Sequence, residues 1–159
     1  MSSSQPQKFT KIEFEYCKEV TQKLYDHPLA VPFLRPVDPE QDYAPDYFIK
    51  IQHPMDLGTV MQKLEKGEYN NSKEWIADVQ LIWSNARTYN QKKTILHTVA
   101  EILQNKFNKI CKVLPKTEMQ LWSLKISKAN KKLKAFLEKP PPTDSIVPRL
   151  PELALQHEE

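Results

Sequence analysis

Apolar residues along the first two thirds of the chain recur at helical intervals, with polar residues between them. Cys17, Val20 and Leu24 stand three and four apart, one face of an amphipathic helix. Ahead of them Thr10 to Glu13 has the form of a capping box, and Pro28 bars the helix from continuing. A second, shorter helix is predicted from Asp56 as cap, with Leu57, Val60, Met61 and Leu64 on one face and Gly67 as its stop. Ser72 is the expected cap of a third, whose stripe of Ile76, Val79, Ile82, Trp83 and Ala86 leads into Tyr89 and Asn90. Thr94 opens a fourth, in which Leu96, Val99, Leu103, Phe107, Ile110 and Leu114 alternate in steps of three and four until Pro115. No segment alternates with period two and β-branched residues, so no strand is predicted. The pattern is that of an all-α fold, a four-helix bundle.

A fifth helix follows the bundle pattern. Thr117 to Gln120 again has the capping-box form, and Leu121, Trp122, Leu124, Leu133, Phe136 and Leu137 support a helix as far as Lys139. The connection between the first two helices is unlike the others. From Pro28 to Met55 no helical period exists, and six prolines (Pro28, Pro32, Pro36, Pro39, Pro45 and Pro54) stiffen the backbone. Disorder does not fit this stretch, because it also carries Phe33, Leu34, Val37, Tyr43, Tyr47, Phe48 and Ile51. Such a loop is expected to fold down on one end of the bundle and wall a pocket. In an up-down-up-down arrangement the link after the third helix, Asn90 to Lys93, emerges at that same end.

Composition narrows the chemistry. The 159 residues suit one domain, and 40 % hydrophobic with 27 % charged residues is ordinary for a soluble globular chain. No apolar run is long enough to cross a membrane, and the amino-terminal residues lack a signal-peptide core, so neither membrane attachment nor secretion is expected. Cys17 and Cys111 lie at apolar helical positions and read as buried free thiols in a reducing compartment. With only Gly58 and Gly67, no phosphate-cradling or dinucleotide loop can be built. His27, His53, His97 and His157 have no ligand spacing, and no Ser or Cys stands in an activating motif. The expectation is a non-enzyme without cofactor or metal. Trp75, Trp83 and Trp122 are expected to pack.

Charge is uneven. Residues 1–115 carry a net +1, residues 116–139 carry seven Lys against two Glu, and residues 140–159 carry −3 after a run of three prolines. Residues 1–9 and 140–159 are expected to be flexible. The lysine-rich helix raises a reading of a different class, a weak nucleic-acid contact through Lys125, Lys128, Lys131, Lys132 and Lys134, or a scaffold. Against it stands the plainer reading, the solvated face of a helix packed on the bundle.

The loop and the Asn90 link converge on one chemistry. Asn90 alone would read as a helix terminator, because asparagine tolerates the left-handed conformation. A side-chain amide also donates and accepts without ionising, so in an apolar pocket it suits a neutral amide rather than a charge. Acetylated lysine is such a ligand, and unmodified lysine would lose its solvation with no carboxylate to receive it.

"VPFLRPVDPEQDYAPDYFIKIQHPMDLGTV" (Val31–Val60), followed by "ADVQLIWSNARTYN" (Ala77–Asn90), closely resembles a bromodomain, and the resemblance covers residues 10–115. It implies a left-handed antiparallel four-helix bundle that reads acetyl-lysine on histone tails, a nuclear setting, and a monomer acting in transcription regulation. Asn90 would hold the acetyl carbonyl and Tyr47 would reach it through a water. Val31, Pro32, Phe33, Val37 and Tyr89 would line the pocket, and Leu96 would gate it. Val31 stands where many members have Trp, which removes an aromatic shelf. Asp42 and Ala44 replace larger apolar residues, so the loop side is expected to be more open and more acidic. Asp38, Glu40, Asp42 and Asp46 would then give a negative rim for a basic tail.

Overall fold

A computed structural model describes residues 9–139, so the expected flexible segments 1–9 and 140–159 lie outside the described residues except for Phe9. It contains α1 (Lys11–Tyr25), α2 (Tyr47–Lys50), α3 (Leu57–Glu65), α4 (Ser72–Tyr89), α5 (Ile95–Cys111) and α6 (Glu118–Leu137), with a 3-10 turn at Pro28–Phe33. Among the described residues there is no strand, and no helix is long and apolar enough to cross a membrane. The fold is all-α. The four longer helices of the first compact unit, which ends at Leu124, form the bundle, and Lys125 begins a second unit.

Local chemistry sets the helix starts. The Thr10 hydroxyl accepts the Glu13 N–H at 3.1 Å, and a Glu13 carboxylate oxygen accepts the Thr10 N–H at 3.1 Å. The other Glu13 oxygen accepts from the Ser72 hydroxyl at 3.3 Å, so this buried carboxylate is satisfied on both sides. Ser72 is therefore not the cap of α4. Asn71 fills that role, its side-chain oxygen accepting from the Lys73 and Glu74 N–H groups, while Ser72 becomes the first helical residue and ties α4 to α1. Asp56 and Thr94 cap α3 and α5 as expected, through the Thr59 and His97 N–H groups. Gly67 ends the α3 turn at φ 67°, the left-handed geometry that glycine adopts freely. The last helix of the bundle stops at Cys111, short of the expected Pro115, with Lys112 and Val113 in a turn and Leu114 beyond it.

The core is built from Cys17, Val20, Leu24, Leu57, Val60, Leu64, Trp75, Val79, Trp83, Leu103 and Phe107. The Trp75 indole N–H donates to Thr21 Oγ1 at 2.9 Å, and its ring meets Phe107 edge-on at 5.2 Å. Trp83 is equally buried and meets Phe33 edge-on at 5.3 Å, carrying the core to the loop, although its N–H finds no acceptor among the described residues. Trp122 departs from expectation. It is 68 % exposed, as are Leu133, Phe136 and Leu137 to similar degrees, so α6 buries no residue of its own. Cys111 is half-buried rather than buried, with burial pushing its thiol up to about 11. Phe9, expected in the flexible stretch, donates its N–H to the Asn70 carbonyl and packs edge-on against Phe14.

The long connection is less featureless than its sequence. It opens with the 3-10 turn, whose Ala30 and Phe33 are buried, and closes with α2. Just after the 3-10 turn the Leu34 carbonyl accepts the Gly58 N–H at 3.1 Å, clamping the loop to the start of α3. A Cβ on Gly58 would stand 2.6 Å from that carbonyl oxygen. Gly58→Ala is therefore expected to destabilise the fold by roughly 1–3 kcal/mol, the range for overpacking. Urea denaturation checks it, and a midpoint equal to the parent's would refute the close approach.

Candidate ligand pocket

The 3-10 turn, the loop, α2, the end of α4 and the start of α5 surround a cavity of about 310 Å³. All eight residues expected at the site line it: Val31, Pro32, Phe33, Val37, Tyr47, Tyr89, Asn90 and Leu96. Ile82 and Ala86, not among the residues expected at the site, also face the cavity from α4, beside Met55 from the loop. Their only signal was membership of the apolar stripe, which does not separate a pocket floor from the core.

Asn90 is not a left-handed terminator. Its backbone is extended, φ −90° and ψ 135°, and the left-handed residue of the link is Lys93 at φ 75°. The Asn90 backbone N–H and side-chain Nδ2 both donate to the Ala86 carbonyl, at 3.0 and 2.8 Å. That bond uses one amide hydrogen and fixes the plane of the carboxamide. The second hydrogen and Oδ1 have no hydrogen-bond partner among the described residues. The Asn90 carbonyl lies 3.1 Å from His97 Nδ1, which ties the link to α5.

Tyr47 is buried with Ala44 and Ile51, and its ring meets that of Tyr89 at 5.0 Å. Burial, aided by the nearby Asp56 carboxylate, raises its phenol above the ordinary value, so it stays a neutral donor. Its hydroxyl has no partner among the described residues and is not sealed from solvent. The Tyr89 hydroxyl, by contrast, is spent: it donates to Asp46 Oδ1 at 2.7 Å. That Asp46 bond raises the Tyr89 phenol.

Two carboxylates border the cavity, contrary to the expectation of none. Asp56 accepts from the Thr59 N–H at 2.9 Å and the Thr59 hydroxyl at 2.6 Å. Asp42 is gripped by Arg35 through two hydrogen bonds of 2.7 and 3.1 Å and accepts the Asp38 N–H at 2.8 Å. Both are occupied by partners of their own. Part of the rim acid is also engaged: Asp46 pairs with Lys50 at 2.6 Å, and Asp38 accepts from the Glu40 and Gln41 N–H groups. Val31 is 65 % exposed at the mouth, where it offers a small apolar edge.

Residues 17–102, more than half of the chain, match the Bromodomain family model, and the chain belongs to the bromodomain family. It is 42 % identical over 91 residues to the transcription factor GTE10 of Arabidopsis thaliana, covering 57 % of this chain and 9 % of that protein. It is 37 % identical over 107 residues to the SWR1 complex bromodomain subunit bdf1 of Schizosaccharomyces pombe, 65 % of this chain and 18 % of the relative. The nucleosome-remodeling factor subunit NURF301 of Drosophila melanogaster is 38 % identical over 100 residues, 63 % of this chain and 4 % of the relative. The chain thus spans less than a fifth of the length of each of these three.

The rim ion pairs titrate with a definite sign. The Arg35 guanidinium and the Asp38 N–H hold the Asp42 carboxyl below 3.8, and Lys50 and Tyr89 do the same for Asp46. These pairings are made in the folded chain, so the stabilisation is present above 3.8 and is lost as pH falls below it through the folded-state values. The Asp38 amide resonance is expected to stay constant from neutral pH to about 5 and to shift only in acid beyond that. Asp42→Asn should alter the Asp38 signal already at neutral pH, and an unchanged signal would refute the clasp.

Proposed function

We propose that the protein is a non-catalytic reader of acetylated lysine in basic peptides such as histone tails. The observation that carries it is Asn90, whose carboxamide is oriented by Ala86 yet keeps a free N–H and a free oxygen at an apolar cavity. The free N–H suits the acetyl carbonyl, and Ile82, Ala86, Phe33 and Val37 suit the methyl and the stem. Tyr47 has a neutral hydroxyl to spare, placed to act through a bridging water. A lysine ammonium is disfavoured because both bordering carboxylates are already engaged, and stripping its water would go uncompensated.

A role in chromatin and a nuclear location follow from this reading. They are consistent with relatives named as a transcription factor and as subunits of SWR1 and nucleosome-remodeling assemblies. In this reading residues 10–115 are the reader and residues 116–139 an extension to it. A second reading, nucleic-acid contact, draws on the exposure of Lys125, Lys128, Lys131, Lys132 and Lys134 along α6. Duplex DNA binding that weakens steeply with salt and survives Asn90→Ala would favour it.

Asn90→Ala is expected to weaken acetyl-peptide binding by about five- to 150-fold, since a buried carbonyl left without its donor forfeits roughly 1–3 kcal/mol. It also removes the bond to Ala86, so the melting temperature should drop modestly while the helical circular dichroism is kept. Tyr47→Phe should cost less. Titration calorimetry with acetylated and unmodified forms of one peptide decides it: parent binding to both forms alike, or undiminished binding by Asn90→Ala, would end the acetyl-lysine reading.

A further inference from the structure

Tyr43 borders the cavity and is 92 % exposed, and it adopts φ 52°, a left-handed conformation that costs a non-glycine residue energy. Its neighbours over-determine that geometry. Asp42 is clasped by Arg35 and its N–H donates to the Asp38 carbonyl at 2.9 Å. Ala44 is buried and its N–H donates to the Pro39 carbonyl at 2.9 Å. The chain is held on both sides of Tyr43, and the ring between is left standing in water at the cavity mouth. It gains almost no packing within the free protein, so burial in the fold does not account for a strained aromatic here.

The charge around the ring indicates what it would receive. Residues 35–50 carry four carboxylates (Asp38, Glu40, Asp42 and Asp46) against two cations (Arg35 and Lys50). Both cations are already paired, and Glu40 forms no ion pair among the described residues. An aromatic face beside surplus acid attracts a cation rather than another apolar group. We propose that Tyr43 forms a second subsite, receiving an arginine or lysine side chain that flanks the acetylated lysine on the same peptide. The proposal rests on the acetyl-lysine reading of the cavity. It adds an aromatic edge at the mouth of the cavity, where Val31 offers only a small apolar one.

The test uses the full chain and three probes: an acetyl-lysine amide without neighbours, a peptide with arginine within three residues on either side of one acetyl-lysine, and the same peptide with alanine at those positions. At an exposed site a cation over a ring is worth about two- to fivefold in affinity, so the parent should prefer the arginine peptide by at least that ratio. Tyr43→Ala should bring the ratio close to that left by charge steering alone, a drop of about two- to fivefold, and Tyr43→Phe should keep the parent's ratio. Tyr43→Gly, free of the left-handed strain, should match Tyr43→Ala and guards against a loop that merely misfolds. A parent ratio that survives in both Tyr43→Ala and Tyr43→Gly overturns the subsite while leaving the cavity reading intact. Failure of the parent to bind the acetyl-lysine amide would overturn both.

Discussion

The hydrogen bond from the Gly58 N–H to the Leu34 carbonyl, with no room for a side chain beside it, is the contact on which the cavity depends. Between Leu34 and Asp56 the chain has only one short helix to organise it, and its backbone cannot satisfy itself as a long helix would. It is held instead by polar tethers to the bundle and within itself. Gly58 grips its start, and Asn85 Nδ2 donates to the His53 carbonyl at 2.8 Å near its end. Tyr89 holds Asp46 in the middle, and Arg35 closes the turn around Asp42. The cavity is the space these ties leave between loop and helices.

The same ties determine the electrostatics of the site. A cavity bordered by Asp42 and Asp56 would suit a cation if either were free, but one is committed to Arg35 and the other to the first turn of α3. Tyr89 is likewise committed to Asp46. What remains uncommitted is a neutral set, the second Asn90 amide hydrogen, the Asn90 Oδ1 and the Tyr47 hydroxyl. Structural bonding thus removes the charged options, and the residual hydrogen-bonding capacity belongs to amide and phenol. Recognition of a neutral polar group by such a set needs no movement of the bundle, because Ala86 already orients Asn90.

The helices were legible because their determinants are local. A capping box spans four residues and an apolar stripe repeats every three or four, so Thr10, Asp56 and Thr94 revealed three of the starts directly. The cap of α4 was misread by one residue because Asn71 and Ser72 are both good caps. The deciding contact, Ser72 with Glu13, joins residues 59 apart in sequence. Trp122 was misread for a similar reason: helical spacing predicts a face, but whether anything covers that face is not a local property.

By itself, then, the sequence determined an all-helical bundle and the long proline-stiffened connection, and its resemblance to a family supplied the eight residues that meet at the cavity. Tertiary structure alone decided the state of those groups. It made Asn90 extended rather than left-handed, bound Asp42 to Arg35 across a turn with no periodicity, and left Tyr43 strained and exposed between two anchored neighbours. The division has a physical cause. Periodicity and capping follow from backbone hydrogen bonds within one turn, whereas the charge and free valence of a side chain depend on which distant partner reaches it first.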